Sequence, residues 1–206
     1  MIAILDYGMG NLRSVEKALA HVGAPSVRTA DHDEVRSADA VVLPGVGAFP
    51  RAMEEIRERG LDELLPELVD AGVPVLGLCL GMQLLFDEST ELGGSTGLGL
   101  IPGRVRPLEN RGLKVPQIGW NPVVWRGESL IGEGLPNPTP MYHVHSFAAL
   151  PEDPDHVIGT ADYGSEFVTA VARGSVAGVQ FHPEKSGPAG LRLLRNFALR
   201  EPAVAA

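Results

Sequence analysis

Cys79, the only cysteine of the chain, stands in Pro74-Val-Leu-Gly-Leu-Cys-Leu-Gly-Met-Gln83, between an apolar run and an amphipathic one, Met82–Asp87. Gly77 and Gly81 flank it symmetrically. This is the pattern of a strand-to-helix turn that lifts a nucleophile to its tip, with sulfur in place of a serine oxygen. Such a turn is tight, and a Cβ on either glycine would crowd the nucleophile or the neighbouring backbone. The helix that follows aims its N-terminal amides and the positive end of its dipole at the sulfur, which favours the thiolate. A lone cysteine is otherwise an ordinary small buried group. The elbow therefore needs a base and an oxyanion site beside it.

A thiol that attacks an amide needs a base to take its proton and return it to the leaving group. Of the six histidines, His21 and His32 fall on or after an exposed helix and read as solvated, and His156 lies in an inert loop or strand start. His182 differs, because it ends a buried-type strand, Gly178–Phe181, and is fixed by Pro183. Glu184, two residues on, is spaced to curl back to the imidazole and set its tautomer and orientation. The alternative is a capped strand-end histidine beside a solvated glutamate. The Leu80 amide, just after the nucleophile, supplies one oxyanion donor. Pro44-Gly-Val-Gly47 is suited to supply a second, although the same residues also read as a strand-ending turn. There is no cysteine pair, HExxH or acidic cluster at ligand spacing, so no metal is expected. Gly8-Met-Gly10 lacks the third glycine of a dinucleotide fingerprint, and no cofactor is expected either.

These residues need a frame that brings strand ends together. Apolar runs at Ile2–Leu5, Ala40–Leu43 and Val73–Leu78 alternate with helical periods: Leu12 to Val22 closed by Gly23, then Phe49 to Ile56, then Leu61–Ala71. Uniformly apolar strands alternating with helices imply a parallel sheet covered on both faces. After about residue 93 prolines punctuate shorter pieces. Strands are expected at Met141–Phe147, His156–Thr160, Phe167–Ala172 and Val176–Phe181, and a closing helix carries Leu191, Leu194 and Phe197. The expected fold is α/β, an open mixed and mainly parallel sheet with helices on both faces, in one domain over residues 1–206. Ligands of such sheets bind beyond the carboxyl ends of the strands, where Pro44–Gly47, Cys79 and His182 all fall.

Composition narrows the partners. Lys and Arg total 17 against 26 Asp and Glu, a formal net charge of −9, which disfavours nucleic acid and anionic membrane. No apolar stretch approaches the roughly 20 residues of a spanning helix. The N-terminus reads as a first strand rather than a signal peptide. One cysteine in a soluble composition fits a reducing, cytoplasmic setting.

Gly77-Leu-Cys-Leu-Gly-Met-Gln83 together with Gln180-Phe-His-Pro-Glu184 resembles the class I (triad) glutamine amidotransferases. Further segments resemble one branch of them, the glutaminase subunits of imidazole glycerol phosphate synthase from histidine biosynthesis. They are Asp6-Tyr-Gly-Met-Gly-Asn-Leu-Arg-Ser-Val15, Leu43–Phe49, Gly97–Gly103, Lys114-Val-Pro-Gln-Ile-Gly-Trp-Asn121, Tyr142–Phe147 and His182–Ser186, nearly the whole chain.

The resemblance implies hydrolysis of L-glutamine to glutamate and ammonia, and transfer of the ammonia to a separate (β/α)8 cyclase subunit in a heterodimer. Cys79 would form the γ-glutamyl thioester, with His182 as base and acid and Glu184 as its orienting partner. The Val46 and Leu80 amides would form the oxyanion hole. Gly45, Gly47, Gln83, Glu91, Ser146 and Phe147 would surround the substrate, and Asn11, Trp120, Asn121 and Lys185 would face the synthase. Trp120 also reads as a core residue and Lys185 as a solvated charge. Gln117 and His143 depart from the family pattern, which commonly has His and an aromatic there. Other acceptors within the class (in anthranilate, GMP, carbamoyl phosphate or pyridoxal phosphate synthesis) and a non-catalytic assembly role are the competing readings.

Overall fold

The computed structural model describes residues 1–127 and 129–199. In chain order the elements are β1 (Ile2–Leu5), α1 (Leu12–His21), β2 (Ser26–Thr29), α2 (His32–Arg36), β3 (Ala40–Gly45), α3 (Phe49–Glu58), α4 (Leu61–Asp70), β4 (Val75–Cys79) and α5 (Leu80–Leu84). Then follow β5 (Glu88–Ser89), β6 (Ser95–Thr96), β7 (Gly103–Pro107), β8 (Gln117–Trp125), β9 (Thr139–His145), β10 (Phe147–Pro151), β11 (Val157–Asp162), β12 (Glu166–Arg173), β13 (Val176–Val179) and α6 (Gly187–Ala198).

Strands β2, β1, β3, β4 and β13 lie side by side in that order and all parallel. Successive residues of a strand face opposite sides of a sheet. In β1, Ala3 and Leu5 enter the core under α3 and α4, while Ile2 and Ile4 enter the core under α1 and α6. Both faces are covered, which is why β1, β3, β4 and β13 read as buried, mostly apolar runs. The helices match them with one buried stripe each: Val15, Ala18 and Leu19 on α1, and Phe49, Ala52, Met53 and Ile56 on α3.

Beyond β13 the pairings are antiparallel except for the short parallel β5–β7 pair, and the sheet forks at β12. One branch runs through β10 and β7 to β5 and β6, and the other through β11 to β8 and β9. The strand expected over Met141–Phe147 is therefore two strands, β9 and β10, joined at Ser146 where the chain passes from one branch to the other. The helix expected over Met82–Asp87 begins directly after Cys79 and ends at Leu84. Residues 117–125, which the prolines disguise, form the nine-residue β8. Pro122 there faces Pro140 of β9 across the pair; a missing N–H is harmless where no ladder bond is made. Strand β2 was also unannounced, being half-exposed at the edge of the sheet.

Candidate active site

Cys79 ends β4 with φ +54° and ψ −110°, a conformation that costs a non-glycine residue about 1–3 kcal/mol. Its surroundings explain why it persists. A Cβ on Gly81 would lie 1.8 Å from the Leu43 carbonyl oxygen, and one on Gly77 would lie 2.7 Å from the Gly81 backbone. A Cβ on Gly45 would meet the Gly81 nitrogen and the Tyr7 hydroxyl at 2.8 Å. Strands β3 and β4 and the first turn of α5 are thus in backbone contact, and Gly45 pairs in register with Cys79. Gly45 lies behind the site as packing, while Gly47, at φ +94°, turns the loop that follows.

The other side of β4 carries β13, whose end leads through Gln180 and Phe181 to His182. His182 Nδ1 donates to Glu184 Oε1 at 2.9 Å, and the two side chains are only 7% and 2% exposed. Among the described residues the buried Glu184 Oε2 has no hydrogen-bond partner, so the carboxylate's charge is shared with little besides the imidazole. Burial works against a charged His182, but its interactions with the Cys79 sulfur and then with Glu184 outweigh it and raise the pKa to about 9. Both partners favour the charged imidazole of His182 at neutral pH. The Cys79 sulfur lies 3.7 Å from the Val144 carbonyl oxygen, and Gln180 Nε2 donates to the sulfur at 3.8 Å.

Cys79 opens into a cleft of about 290 Å³. Val46, Gly47, Leu80, Gln83, Glu91, Ser146, Phe147, His182 and Lys185 all line it. Leu80 is the first residue of α5, so its amide has no intrahelical acceptor. Gln83 Nε2 donates to the Phe147 carbonyl (3.2 Å) and to Gln180 Oε1 (2.8 Å), which leaves Gln83 Oε1 for a ligand. The Ser146 carbonyl accepts from the Leu108 amide at 2.9 Å, so its own N–H and hydroxyl are what that wall can offer.

Four contributors were not identified from sequence. Tyr7, fully buried, donates from its hydroxyl to the Pro44 carbonyl at 2.6 Å, and burial followed by the Cys79 charge pushes its pKa far above the usual phenol range. Gln180 bridges Gln83 and the sulfur, as described. His145 Nδ1–H donates to the Phe147 carbonyl at 2.8 Å, and its Nε2 lies 2.7 Å from the Gln117 side-chain amide. His143 Nδ1–H donates to the Met141 carbonyl at 3.0 Å while its Nε2 meets the Thr169 hydroxyl at 2.7 Å. Burial, reinforced by nearby imidazoles, lowers His143 to about 3; burial, aided by the His182 charge, lowers His145 to about 4.

Of the residues expected to face a synthase, Trp120 is 59% exposed and Lys185 is also exposed at the cleft. Asn11 is half-buried at the start of α1 and borders a small cavity with Glu184. Asn121 departs from the expectation: it is buried and donates to the Asp162 carbonyl at 2.8 Å. Neighbouring residues on one strand point to opposite faces, so with Trp120 outward Asn121 must turn in.

A strained cysteine elbow, an imidazolium held by a buried carboxylate and backbone amides beyond the strand ends are equipment for acyl transfer through a thioester. The family described as "Glutamine amidotransferase class-I" matches residues 3–200, and the chain belongs to that family. Among curated relatives, it is 50% identical over 198 residues to "Imidazole glycerol phosphate synthase subunit HisH" of Bacillus cereus (strain G9842), covering 96% of this chain and 93% of the relative. It is 48% identical over 196 residues to the protein of the same name from Moorella thermoacetica, covering 95% and 93%. Among solved structures, a glutamine amidotransferase superposes with TM-score 0.73 at 21% identity, covering 95% of this chain and 96% of that one. PurLQS from Thermotoga maritima gives 0.72 at 20%, again over 95% and 96%. At those identities the structures attest the fold. Among the described residues no helix is long and apolar enough to cross a membrane.

Proposed function

We propose that this chain is the glutaminase subunit of an imidazole glycerol phosphate synthase, working on L-glutamine in the cytoplasm. The observation that carries the proposal is the buried His182–Glu184 pair beside Cys79 at the floor of the cleft, in a chain half identical to subunits of that name. The Cys79 thiolate attacks the side-chain amide carbon of glutamine, and the resulting oxyanion is held by the Val46 and Leu80 amides. As the C–N bond breaks, the imidazolium of His182 gives its proton to the departing nitrogen, which leaves as ammonia. Water then attacks the γ-glutamyl thioester, His182 takes its proton, and glutamate leaves with the thiolate restored.

Ammonia is nucleophilic only while unprotonated, so it needs a dry route to its acceptor. The partner in this reading is a cyclase with a (β/α)8 barrel, which combines the ammonia with PRFAR to give imidazole glycerol phosphate and AICAR. Ile118, Trp120 and Val124 alternate along the outer face of β8, all exposed, and Trp120 meets Tyr142 edge-to-face at 6.1 Å. An apolar stripe of this kind beside the cleft suits a protein interface. The deciding experiment is Cys79→Ala or Cys79→Ser in the complex. Glutamine-dependent synthesis should vanish while synthesis from added ammonium persists; loss of both would refute the division of labour.

A further inference from the structure

The loop that carries Val46 is pinned at both ends. At its start, the Tyr7 hydroxyl holds the Pro44 carbonyl from within the core. At its end, the Phe49 amide, the first N–H of α3, donates to Glu91 Oε2 at 2.8 Å. Ala48, at the N-cap position of α3, has no side chain that can cap the helix. The cap comes instead from Glu91, and a carboxylate there also complements the helix dipole. Only Gly45, Val46, Gly47 and Ala48 lie between the two pins, and the exposed Val46 rides on them.

Glu91 is also a wall of the cleft, with Cys79 and Gln83. Its backbone amide donates to the hydroxyl of the buried Ser89 at 3.2 Å, which fixes where the side chain starts. Among the described residues its carboxylate has no cationic partner and one hydrogen-bond donor, Phe49. One oxygen thus holds the loop, and the other is free for a cation arriving in the cleft. A ligand ammonium on that carboxylate fixes its orientation, and the same orientation fixes the Phe49 amide. Coupling of this kind is reciprocal: whatever holds the loop also prepares the carboxylate for its ligand.

We infer that Glu91 is a positioning residue for the oxyanion loop, tying the arrival of glutamine's α-ammonium group to the placement of the Val46 amide. The inference rests on the glutaminase reading of this cleft. It differs from a plain ammonium-binding role in one respect: removing the Glu91 acceptor must also impair acylation by substrates that have no ammonium group.

The test uses the full chain with its cyclase and two acyl donors, glutamine and mono-p-nitrophenyl glutarate, which lacks the α-amino group. Glu91→Gln keeps an acceptor for the Phe49 amide but loses the charge. It should raise the KM for glutamine about tenfold, the scale of one lost charge contact, and slow p-nitrophenol release from Cys79 less than the variants that lack an acceptor for the Phe49 amide. Glu91→Ala, and the nearly isosteric Glu91→Met, should slow p-nitrophenol release about tenfold, part of what a lost oxyanion donor costs. Wild-type rates on the glutarate ester in both of the latter would overturn the inference, as would equal losses in Glu91→Gln. If Cys79→Ala released p-nitrophenol like the wild type, the reading of the cleft itself would fall, and the inference with it.

Discussion

Acidification from pH 7 to pH 5 should destabilise this fold through two buried histidines outside the proposed proton-transfer pair. His143 and His145 have pKa values of about 3 and about 4 in the folded protein and about 6.5 when unfolded. A group whose folded pKa is depressed gives stability that is complete above its unfolded pKa and is lost as the pH falls toward the folded one. Over this interval the unfolded imidazole gains a proton that the folded one refuses, a loss of about 2 kcal/mol per histidine. The figure needs only that the folded values stay below 5, because it is set by the unfolded pKa. His182 works in the opposite sense. Its folded pKa of about 9 gives stability that is complete below about 6.5 and lost as pH rises through 9, so acidification returns less than about 1 kcal/mol. The His143 share is isolated by His143→Phe, which packs against the Phe167 and Phe181 rings that now surround the imidazole. At pH 7 the variant loses about 1–3 kcal/mol, because the Thr169 hydroxyl and the Met141 carbonyl lose their partner. Its further loss on going to pH 5 should be about 2 kcal/mol smaller than that of the wild type. With a urea slope of about 2 kcal/mol per molar, the gap between midpoints at the two pH values narrows by about 1 M. Carboxylates common to both proteins cancel in the comparison. An identical acid sensitivity in the two would refute the claim that His143 is held neutral.

Glu184→Gln keeps an acceptor for His182 Nδ1 but removes the charge, so the imidazolium should lose its proton at lower pH. The alkaline limb of kcat/KM, expected near pH 9 for the wild type, should move to lower pH, and kcat should fall by about a hundredfold or more; an unmoved limb would show that Glu184 does not hold that charge. Gly81→Ala places a methyl group against the Leu43 carbonyl and should destabilise by about 3 kcal/mol or more, because backbone rather than a flexible side chain must give way. Its urea midpoint measures this, and a wild-type midpoint would mean that the elbow is looser than the packing indicates.

What the sequence made legible was local. An apolar strand running into Cys79 between two glycines, and a glutamate two residues past a strand-end histidine, each lie within a few positions of chain. The contacts that complete the site span far greater separations: Gln83 with Gln180, Glu91 with the Phe49 amide, Tyr7 with the Pro44 carbonyl. No periodicity carries such pairings. Residues 117–125 were obscured because proline usually argues against a strand, and here Pro122 occupies a position where its missing N–H is harmless. The inward turn of Asn121 was available in principle, since strand alternation opposes it to Trp120. It required first knowing that the segment is a strand.

Strand order converts those local motifs into one site. Gly45 and Cys79 are partners in the parallel pairing of β3 with β4, so the next residue on each, Val46 and Leu80, leave the sheet at the same level. The two amides proposed for the oxyanion are therefore neighbours as a consequence of register. On the other side of β4, Val179 is the partner of Leu78, which brings Gln180 level with Cys79 and His182 just beyond the strand ends. The proposed acid–base group thus stands across the proposed nucleophile from the proposed oxyanion donors, where a carbonyl attacked by sulfur would present its leaving nitrogen and its oxygen on opposite sides. A one-residue slip of either pairing would keep every motif intact and dismantle this arrangement. The backbone contacts among Gly45, Gly77 and Gly81 guard against such a slip, because any larger residue brought into that space would clash with the neighbouring strand or turn.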